Sequence, residues 1–150
     1  MTQQQWETLT PLRFRDFDYL GHMTATSYLA LLEEARVDWL GQATGGELPE
    51  YVVATQQLEF HREILPADGP IRITIAARLL SPRRVCVSER IFGSRGHLHA
   101  TSRAELVAWD RARRRARAFT EAEQLLFEVS DAAEAASEGQ ATTHGTAGGS

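Results

Sequence analysis

Cysteine is almost absent from this 150-residue sequence, and its scarcity excludes several classes of site. With Cys86 as the single cysteine, the chain can form no internal disulfide and no metal cluster built on several cysteines. Such sparing use of cysteine is typical of a reducing compartment. We therefore expect a cytoplasmic protein.

Long apolar runs and an excess of positive charge are also missing. No stretch approaches the roughly 20 apolar residues that a membrane-spanning helix needs, and residues 1–10, MTQQQWETLT, lack the basic start and apolar centre of a signal peptide. The net charge of −4 argues against nucleic acid and anionic membrane surfaces as partners. The apolar fraction of 43% is nevertheless enough for one hydrophobic core.

The C-terminal segment, residues 130–150, contains no Val, Ile, Leu, Met or aromatic residue. Such a segment cannot bury enough apolar surface to offset the entropy that ordering it would cost. We expect one domain over residues 1–129 followed by a disordered tail, in which His144 has no role.

A helix and several strands are indicated by the spacing of apolar residues. Residues 26–40 carry a helical stripe, with Thr24 or Thr26 as the N-cap and Gly41 at the end. Residues 7–14 look like a strand that Pro11 confines to an edge or a bulge. Four further strand-like runs and a short closing helix are predicted over residues 51–63, 70–80, 84–93, 97–110 and 120–128.

This order of elements predicts a two-layer α+β domain in which an antiparallel sheet of about five strands wraps one long helix. One helix cannot cover such a sheet completely. We therefore expect edge strands to pair in a homodimer, or in a homotetramer.

The stretch RFRDFDYLGHMTATSY, residues 13–28, places two aspartates and a Gly-His pair just before the long helix. With its continuation it reads R-x-x-D-x-D-x-x-G-H-x-x-x-x-x-Y-x-x-x-x-E-x-A-R. This pattern resembles the opening of the hotdog-fold acyl-CoA thioesterases of the 4-hydroxybenzoyl-CoA thioesterase type, and the similarity extends over residues 8–127, including LEFHREILPADG. The residues that carry the pattern are Arg13, Asp16, Asp18, Gly21, His22, Tyr28, Glu33, Ala35 and Arg36.

The resemblance implies a hotdog fold and hydrolysis of an acyl-CoA or acyl-carrier-protein thioester, with coenzyme A only as part of the substrate and no metal or redox cofactor. It maps the catalytic aspartate onto Asp18, which can act as nucleophile or as general base. Backbone N–H groups at the helix N-terminus can hold the oxyanion. The expected substrate-binding residues are Gly21, which permits positive φ or close backbone approach, His22, Met23, Thr24 and Ala25.

The chain departs from this family at Thr24-Ala25, where many relatives have two asparagines. The departure removes side-chain amides close to the thioester. Two alternatives to hydrolysis therefore stay open, a non-catalytic acyl-CoA-binding module and a hotdog dehydratase that uses His22 and Asp18. A Ser-His-Asp hydrolase is not supported, because no G-x-S-x-G element is present.

Other polar residues have simpler explanations. Asp18 itself can be a turn carboxylate, Asp16 is expected to pair with Arg13 or Arg15, and Glu33 with Arg36. His22 can be catalytic or a satisfied buried histidine. Tyr28 is expected in the core and His61 outside the catalytic set, whereas His97 and His99 share a strand face without an evident third metal ligand.

Two groups of arginines can bind the phosphates of coenzyme A. Arg83 and Arg84 follow Ser-Pro at a predicted turn, and the resemblance favours this pair as substrate-binding. The run RARRRARAF lies near the last hairpin, where a solvated surface is the alternative interpretation. It contains Arg111, Arg113, Arg114, Arg115 and Arg117.

Overall fold

A computed structural model of the chain describes residues 6–130. Six strands, one long helix and a shorter C-terminal helix make up these residues. The strands are β1 (Trp6–Thr10), β2 (Tyr51–Phe60), β3 (Ile71–Ser81), β4 (Arg84–Phe92), β5 (Leu98–Asp110) and β6 (Arg115–Ala116); the helices are α1 (Ala25–Gly41) and α2 (121–130). Single 3₁₀ turns occupy Phe14–Asp16 and Pro66–Asp68.

Helix α1 begins where the sequence predicted. Of the two candidate caps it uses Thr24, whose Oγ1 accepts a hydrogen bond from the Ser27 N–H at 3.2 Å. Gly41 is its last residue, and Gln42 caps the end. One face of the helix is buried through Tyr28, Leu31, Leu32, Ala35, Arg36, Trp39 and Leu40.

The strands form one antiparallel sheet in the order β1-β3-β4-β5-β2, and the two-residue β6 extends β5. Apolar side chains alternate along β3 and β4, and the inward set faces the buried stripe of α1. Phe119 and Phe127 pack edge to face at 4.9 Å, and Phe127 contacts Trp39, so that α2 covers the end of the core. The inward residues of the central strands include Ile71, Ile73, Ile75, Val85, Val87, Ile91 and Ala104.

The edges of the sheet are β1 and β2. Pro11 ends β1 after five residues, so the predicted strand over residues 7–14 is shorter than expected and lies at an edge. The four strands that were predicted after the long helix correspond to β2 to β5, with small shifts at their ends. Strand β6 has no counterpart in the sequence prediction. Strand β2 carries several exposed apolar side chains, among them Val52, Val53 and Phe60.

The predicted pairing of Glu33 with Arg36 is wrong. Arg36 instead points into the core, where its Nε and Nη2 donate to Glu89 Oε2 and Oε1 at 2.9 and 2.7 Å. Ser102 Oγ also donates to Glu89 Oε1, at 3.0 Å. Burial raises the pKa of Glu89, and the charge of Arg36 opposes this effect. Removal of either residue would leave the other charge buried without a partner, which destabilises a fold strongly.

The described part of the chain ends within helix α2, next to the predicted start of the tail. Ser130, the first residue of the predicted tail, is still helical and buried, and its hydroxyl donates to the Leu126 carbonyl. The rest of the predicted tail, residues 131–150 with His144, lies outside the described residues. Neither helix within residues 6–130 combines the length and the apolar character that crossing a bilayer requires.

Candidate active site

The two aspartates of the D-x-D pair have different surroundings. Asp16 is buried and closes the 3₁₀ turn before α1, because its Oδ2 accepts the Arg13 N–H at 2.7 Å. Its Oδ1 lies 3.3 Å from Arg13 Nη2, and this interaction raises the pKa of Arg13 above its ordinary value. The carbonyl of Asp16 accepts the Thr24 N–H at 3.1 Å. Asp16 therefore fixes the start of α1 to the chain that precedes it.

Asp18 begins a tight loop that returns to α1. Its N–H donates to the His22 carbonyl at 2.8 Å, and Phe17 and Met23 form an isolated antiparallel bridge. Gly21 has φ of +79°, a conformation that favours glycine, and closes the loop with a hydrogen bond to the Asp18 carbonyl. The positive φ that the sequence suggested at Gly21 is therefore what the loop uses.

The carboxylate of Asp18 uses only one of its oxygens to hold this loop. Oδ1 accepts the N–H groups of Leu20 and His22 at 2.9 and 3.0 Å. Oδ2 has no hydrogen-bond or ion-pair partner within residues 6–130, and the side chain is exposed. The loop thus fixes the direction of the carboxylate and leaves one oxygen available to a reactant.

A cavity of about 400 Å³ lies beside Asp18. Leu12, Phe14, Phe17, Tyr19 and Pro66 provide most of its wall, which is mainly apolar. Phe14 and Tyr19 are 98% and 94% exposed. Exposed aromatic side chains grouped around a carboxylate are typical of a surface that a ligand or a partner covers.

The helix N-terminus next to this loop has unused hydrogen-bond donors. The Thr24 N–H is taken by the Asp16 carbonyl, and the Ser27 N–H by Thr24. The N–H groups of Met23, Ala25 and Thr26 have no partner among the described residues. Such groups carry partial positive charge and can stabilise a developing anion.

The remaining predicted residues of this loop differ in what they offer. The His22 imidazole is exposed and makes no side-chain hydrogen bond within the part of the chain that the structure describes. The Met23 side chain is buried in the core, which leaves only its backbone for a ligand. Ala25 is exposed at the first turn of α1.

From the chain between β2 and β3, Pro66 contributes to the cavity wall, and the neighbouring residues pack against α1 and β5. Tyr28 is in the core, as expected, and packs edge to face against Phe60 at 4.9 Å; burial raises its pKa. His61 follows β2 and is exposed, with Nε2 2.8 Å from the Thr101 hydroxyl.

The sequence did not indicate the contacts that His99 makes with the chain after β2. His99 is buried at the start of β5, and its Nδ1 lies 2.9 Å from the Glu63 carbonyl. Its own carbonyl accepts the N–H groups of His61 and Arg62. Gly93 makes room for the ring, since a Cβ there would lie 2.6 Å from Nε2. The pairing of β4 with β5 shifts register between Ile91 and Phe92, which marks a bulge close to His99. The apolar alternation of β5 did not indicate this bulge.

Arg83 and Arg84 lie far from Asp18 within one chain. They follow the C-terminal end of β3, whereas Pro66, in the wall of the Asp18 cavity, precedes its N-terminal end. An eleven-residue strand spans about 35 Å. Both arginines are exposed, and Arg84 pairs with Glu105 at 2.6 Å. The structure therefore brings residues 18–25 together but leaves the two arginines at the opposite end of the sheet.

The sequence model of the Thioesterase-like superfamily matches residues 12–134, which include the Asp18 loop, helix α1, strands β2 to β6 and α2. The chain belongs to this superfamily. No curated protein sequence matches it.

Solved structures of thioesterases share the fold. A Thermus thermophilus thioesterase complexed with coenzyme A and zinc is 21% identical with a TM-score of 0.73, and the match covers 88% of this chain and 98% of that one. A 1,4-dihydroxy-2-naphthoyl-CoA thioesterase from Synechocystis is 16% identical with a TM-score of 0.66, over 83% and 94%. A Staphylococcus aureus protein in complex with coenzyme A is 13% identical with a TM-score of 0.77, over 88% and 87%. The hotdog fold that the D-x-D-x-x-G-H motif predicted is confirmed.

Proposed function

We propose that this chain hydrolyses an acyl-CoA or acyl-carrier-protein thioester to a free acid and a thiol, with Asp18 as the reacting carboxylate. The observation that carries the proposal is that the two oxygens of this carboxylate have different surroundings. Two backbone N–H groups hold Oδ1 at 2.9 and 3.0 Å, Oδ2 has no protein partner among residues 6–130, and Asp18 lines a mainly apolar cavity. Membership of the Thioesterase-like superfamily and the coenzyme A bound by two structural relatives support the same reaction class.

Two routes are open to Asp18. As a nucleophile, Oδ2 attacks the thioester carbonyl, the C–S bond breaks to release the thiolate, and water then hydrolyses the mixed anhydride. As a general base, Oδ2 takes a proton from water while the water oxygen attacks the same carbon, and the tetrahedral intermediate then breaks the C–S bond to release the thiolate and the acid. In both routes negative charge develops on the carbonyl oxygen. The N–H groups of Met23, Ala25 and Thr26, which have no partner among residues 6–130, would donate hydrogen bonds to it.

The apolar cavity beside Asp18 would take the acyl group. Phe14, Phe17 and Tyr19 offer ring faces and edges, and the exposed His22 imidazole lies in the same loop as the carboxylate. The proposed reaction requires no metal and no redox cofactor, because a carboxylate and backbone amides supply the attacking group and the oxyanion donors.

A homodimer would complete the site, and two dimers could associate as a tetramer. The outer edge of β2 pairs with no strand among the described residues, and Val52, Val53 and Phe60 are exposed along it. A second copy that paired its own β2 with this edge in antiparallel fashion would bury these side chains and satisfy the free backbone groups. It would also cover the exposed aromatic residues near Asp18.

Replacement of Asp18 by asparagine tests the assignment directly. The Asn Oδ1 can still accept the N–H groups of Leu20 and His22, so the loop should keep its shape while the charge is lost. We expect kcat for thiol release from a panel of aliphatic and aromatic acyl-CoA and acyl-carrier-protein substrates to fall by about 10²-fold or more, with an unchanged melting temperature. Asp38→Asn, which removes an exposed carboxylate near the other end of α1, should leave kcat unchanged.

Full activity in Asp18→Asn would contradict the proposed mechanism. Acyl-CoA binding by the wild type without thiol release from any substrate would favour a binding module instead. Loss of water from a hydroxyacyl thioester, without thiol release, would favour a dehydratase.

A further inference from the structure

The chain between β2 and β3 contributes to the cavity beside Asp18, although it forms neither a strand nor an α-helix. Pro66 lines the cavity and lies in a single 3₁₀ turn. A Cβ at Gly69, directly after this turn, would lie 3.0 Å from Cγ of Leu12, which also lines the cavity. The placement of residues 61–69 therefore affects two residues of the cavity wall.

The hairpin that joins β4 to β5 holds this segment at two points. At the end of the 3₁₀ turn, the Asp68 carbonyl accepts the Ser94 N–H at 2.8 Å. Close to β2, His99 holds residues 61–63 through its carbonyl, which accepts two N–H groups, and through its ring. Pro66 lies between these two points of attachment, so its position depends on both.

The ring of His99 contributes a hydrogen-bond donor to this attachment. Nδ1 lies 2.9 Å from the Glu63 carbonyl oxygen and 3.3 Å from that of Arg62, and because both neighbours are acceptors, Nδ1 carries the proton. Nε2 has no partner among residues 6–130, although the residue is buried. An apolar side chain of similar size would fill the space without an unpaired nitrogen. What histidine adds at this position is therefore the Nδ1 donor.

Gly93 confines the ring from its other edge. A Cβ at this position would lie 2.6 Å from Nε2 and 3.1 Å from Cδ2 of His99. The ring thus fits between the Gly93 backbone on one edge and the two carbonyls of the segment on the other. A side chain at residue 93 would push the ring against the segment that it holds.

His99 is not placed to act on a substrate itself. Its ring is buried and does not line the Asp18 cavity, and Nδ1 is occupied by the two carbonyls. Any effect on the reaction must pass through the segment that it holds, which includes Pro66. His99 is therefore a positioning residue rather than a catalytic one.

We propose that His99 determines acyl specificity by holding residues 61–63, so that Pro66 stands at a fixed place in the cavity beside Asp18. The proposal rests on the proposed thioesterase function and on the assignment of this cavity to the acyl group. Acyl groups large enough to reach Pro66 would depend on His99. An acyl group too short to reach it would not.

Replacement of His99 by leucine tests the first part of the proposal. We expect KM for decanoyl-CoA and benzoyl-CoA to rise about fivefold or more, because the substrate must then order a wall that the wild type holds in place. For the shortest acyl-CoA that the wild type hydrolyses, kcat and KM should stay unchanged. His97→Leu removes an exposed imidazole from the same hairpin and should alter neither substrate class.

Replacement of His99 by asparagine separates the donor from the bulk of the ring. The asparagine Nδ2 can take the place of the imidazole Nδ1 and donate to the same carbonyls. We expect KM for decanoyl-CoA and benzoyl-CoA to return to the wild-type value in His99→Asn. The rescue would assign the effect to the hydrogen bond, since asparagine fills the space less well than leucine does.

Gly93→Ala tests the same contact from the other side. The position has no positive φ, so the added methyl group acts through its clash with His99. We expect Gly93→Ala to raise KM for the large acyl groups as His99→Leu does. Asparagine lacks the far half of the ring, so Gly93→Ala/His99→Asn should have the KM of His99→Asn alone.

Hydrogen exchange of the peptide that covers residues 61–69 supplies a readout that needs no turnover. Exchange should be faster in His99→Leu than in the wild type and close to the wild type in His99→Asn. If His99→Leu fails to fold, Gly93→Ala, His99→Asn and their combination decide the question by the same measurements.

Two results would overturn the proposal. One is an equal loss of kcat/KM for every acyl length, and the other is a His99→Asn variant as impaired as His99→Leu; either would reduce His99 to a packing residue. A wild type that hydrolyses no substrate of the panel would contradict the proposed thioesterase. Hydrogen exchange would still decide whether His99 holds the segment, and equal exchange in His99→Leu and the wild type would show that it does not.

Discussion

At the residue scale, the two aspartates show what a motif specifies and what it leaves open. The pattern D-x-D-x-x-G-H contains both aspartates, and the chain buries Asp16 beside Arg13 and exposes Asp18 at the start of a loop. The sequence alone allowed a turn carboxylate or a reacting one at Asp18. The structure shows the turn role, because Oδ1 holds the loop, and it leaves Oδ2 without a protein partner within residues 6–130, as the proposed reacting role requires.

We predict that Asp16→Ala lowers stability rather than catalysis directly. The change removes the acceptor of the Arg13 N–H, which closes the 3₁₀ turn, and we expect a loss of about 1–2 kcal/mol in the free energy of unfolding. Urea denaturation of the two proteins would measure it. Asp38→Ala, an exposed carboxylate on α1, should change stability by less than about 0.5 kcal/mol. Equal losses in both variants would contradict a capping role for Asp16.

At the element scale, the sequence indicated the helix and the central strands because their apolar periods are regular. It could not indicate the partner of Arg36, which lies 53 positions away on β4. Local spacing favoured Glu33, but Arg36 occupies the buried stripe of α1 and Glu89 the inward face of β4. Pairing across layers depends on how the helix is rotated on the sheet, and local sequence does not encode that rotation.

Helix α2 is attached to the sheet by a second ion pair that spans elements. Glu123 Oε1 accepts hydrogen bonds from Arg117 Nη1 at 2.8 Å and from the Thr120 N–H at 2.9 Å. Burial alone would raise the pKa of Glu123, but these hydrogen bonds and the charge of Arg117 outweigh it and lower the pKa below its ordinary value. The pair T-x-x-E at residues 120–123 is a capping box, a signal that the sequence contains.

We predict that this contact makes part of the stability dependent on pH. Because the pKa is lower in the folded chain, the stabilisation is complete above the unfolded pKa of about 4.3 and is lost as the pH falls through the folded value. The melting temperature of the wild type should therefore exceed that of Glu123→Gln at pH 6–7, and the difference should shrink below about pH 4.5. Glu121→Gln, an exposed change in the same helix, serves as the control. A difference that stays constant down to pH 3 would contradict the ion pair as its source.

At the scale of the whole molecule, the free edge of β2 is the feature on which the proposed homodimer depends. Apolar side chains of β2 and the aromatic residues beside Asp18 are exposed, and the proposed dimer would cover both. A homodimer was expected from the sequence, since one helix cannot cover the sheet, and it stays a prediction. The sequence marked only the first strand as an edge, through Pro11, whereas the strand order adds β2 as the second edge.

We predict that a charge on β2 dissociates the dimer and inactivates it. Val53 is 43% exposed on the free edge, and a lysine there would place two like charges close together across the junction and bury them. In Val53→Lys, sedimentation equilibrium should show a dimer dissociation constant raised at least about tenfold, and turnover of acyl-CoA should fall in parallel with the dimer fraction. Leu9→Lys puts the same charge on an exposed position of the other edge strand, β1, and should leave both unchanged. A wild type that is monomeric and fully active, or a dimer broken by Leu9→Lys and not by Val53→Lys, would show that β2 is not the edge that completes the site.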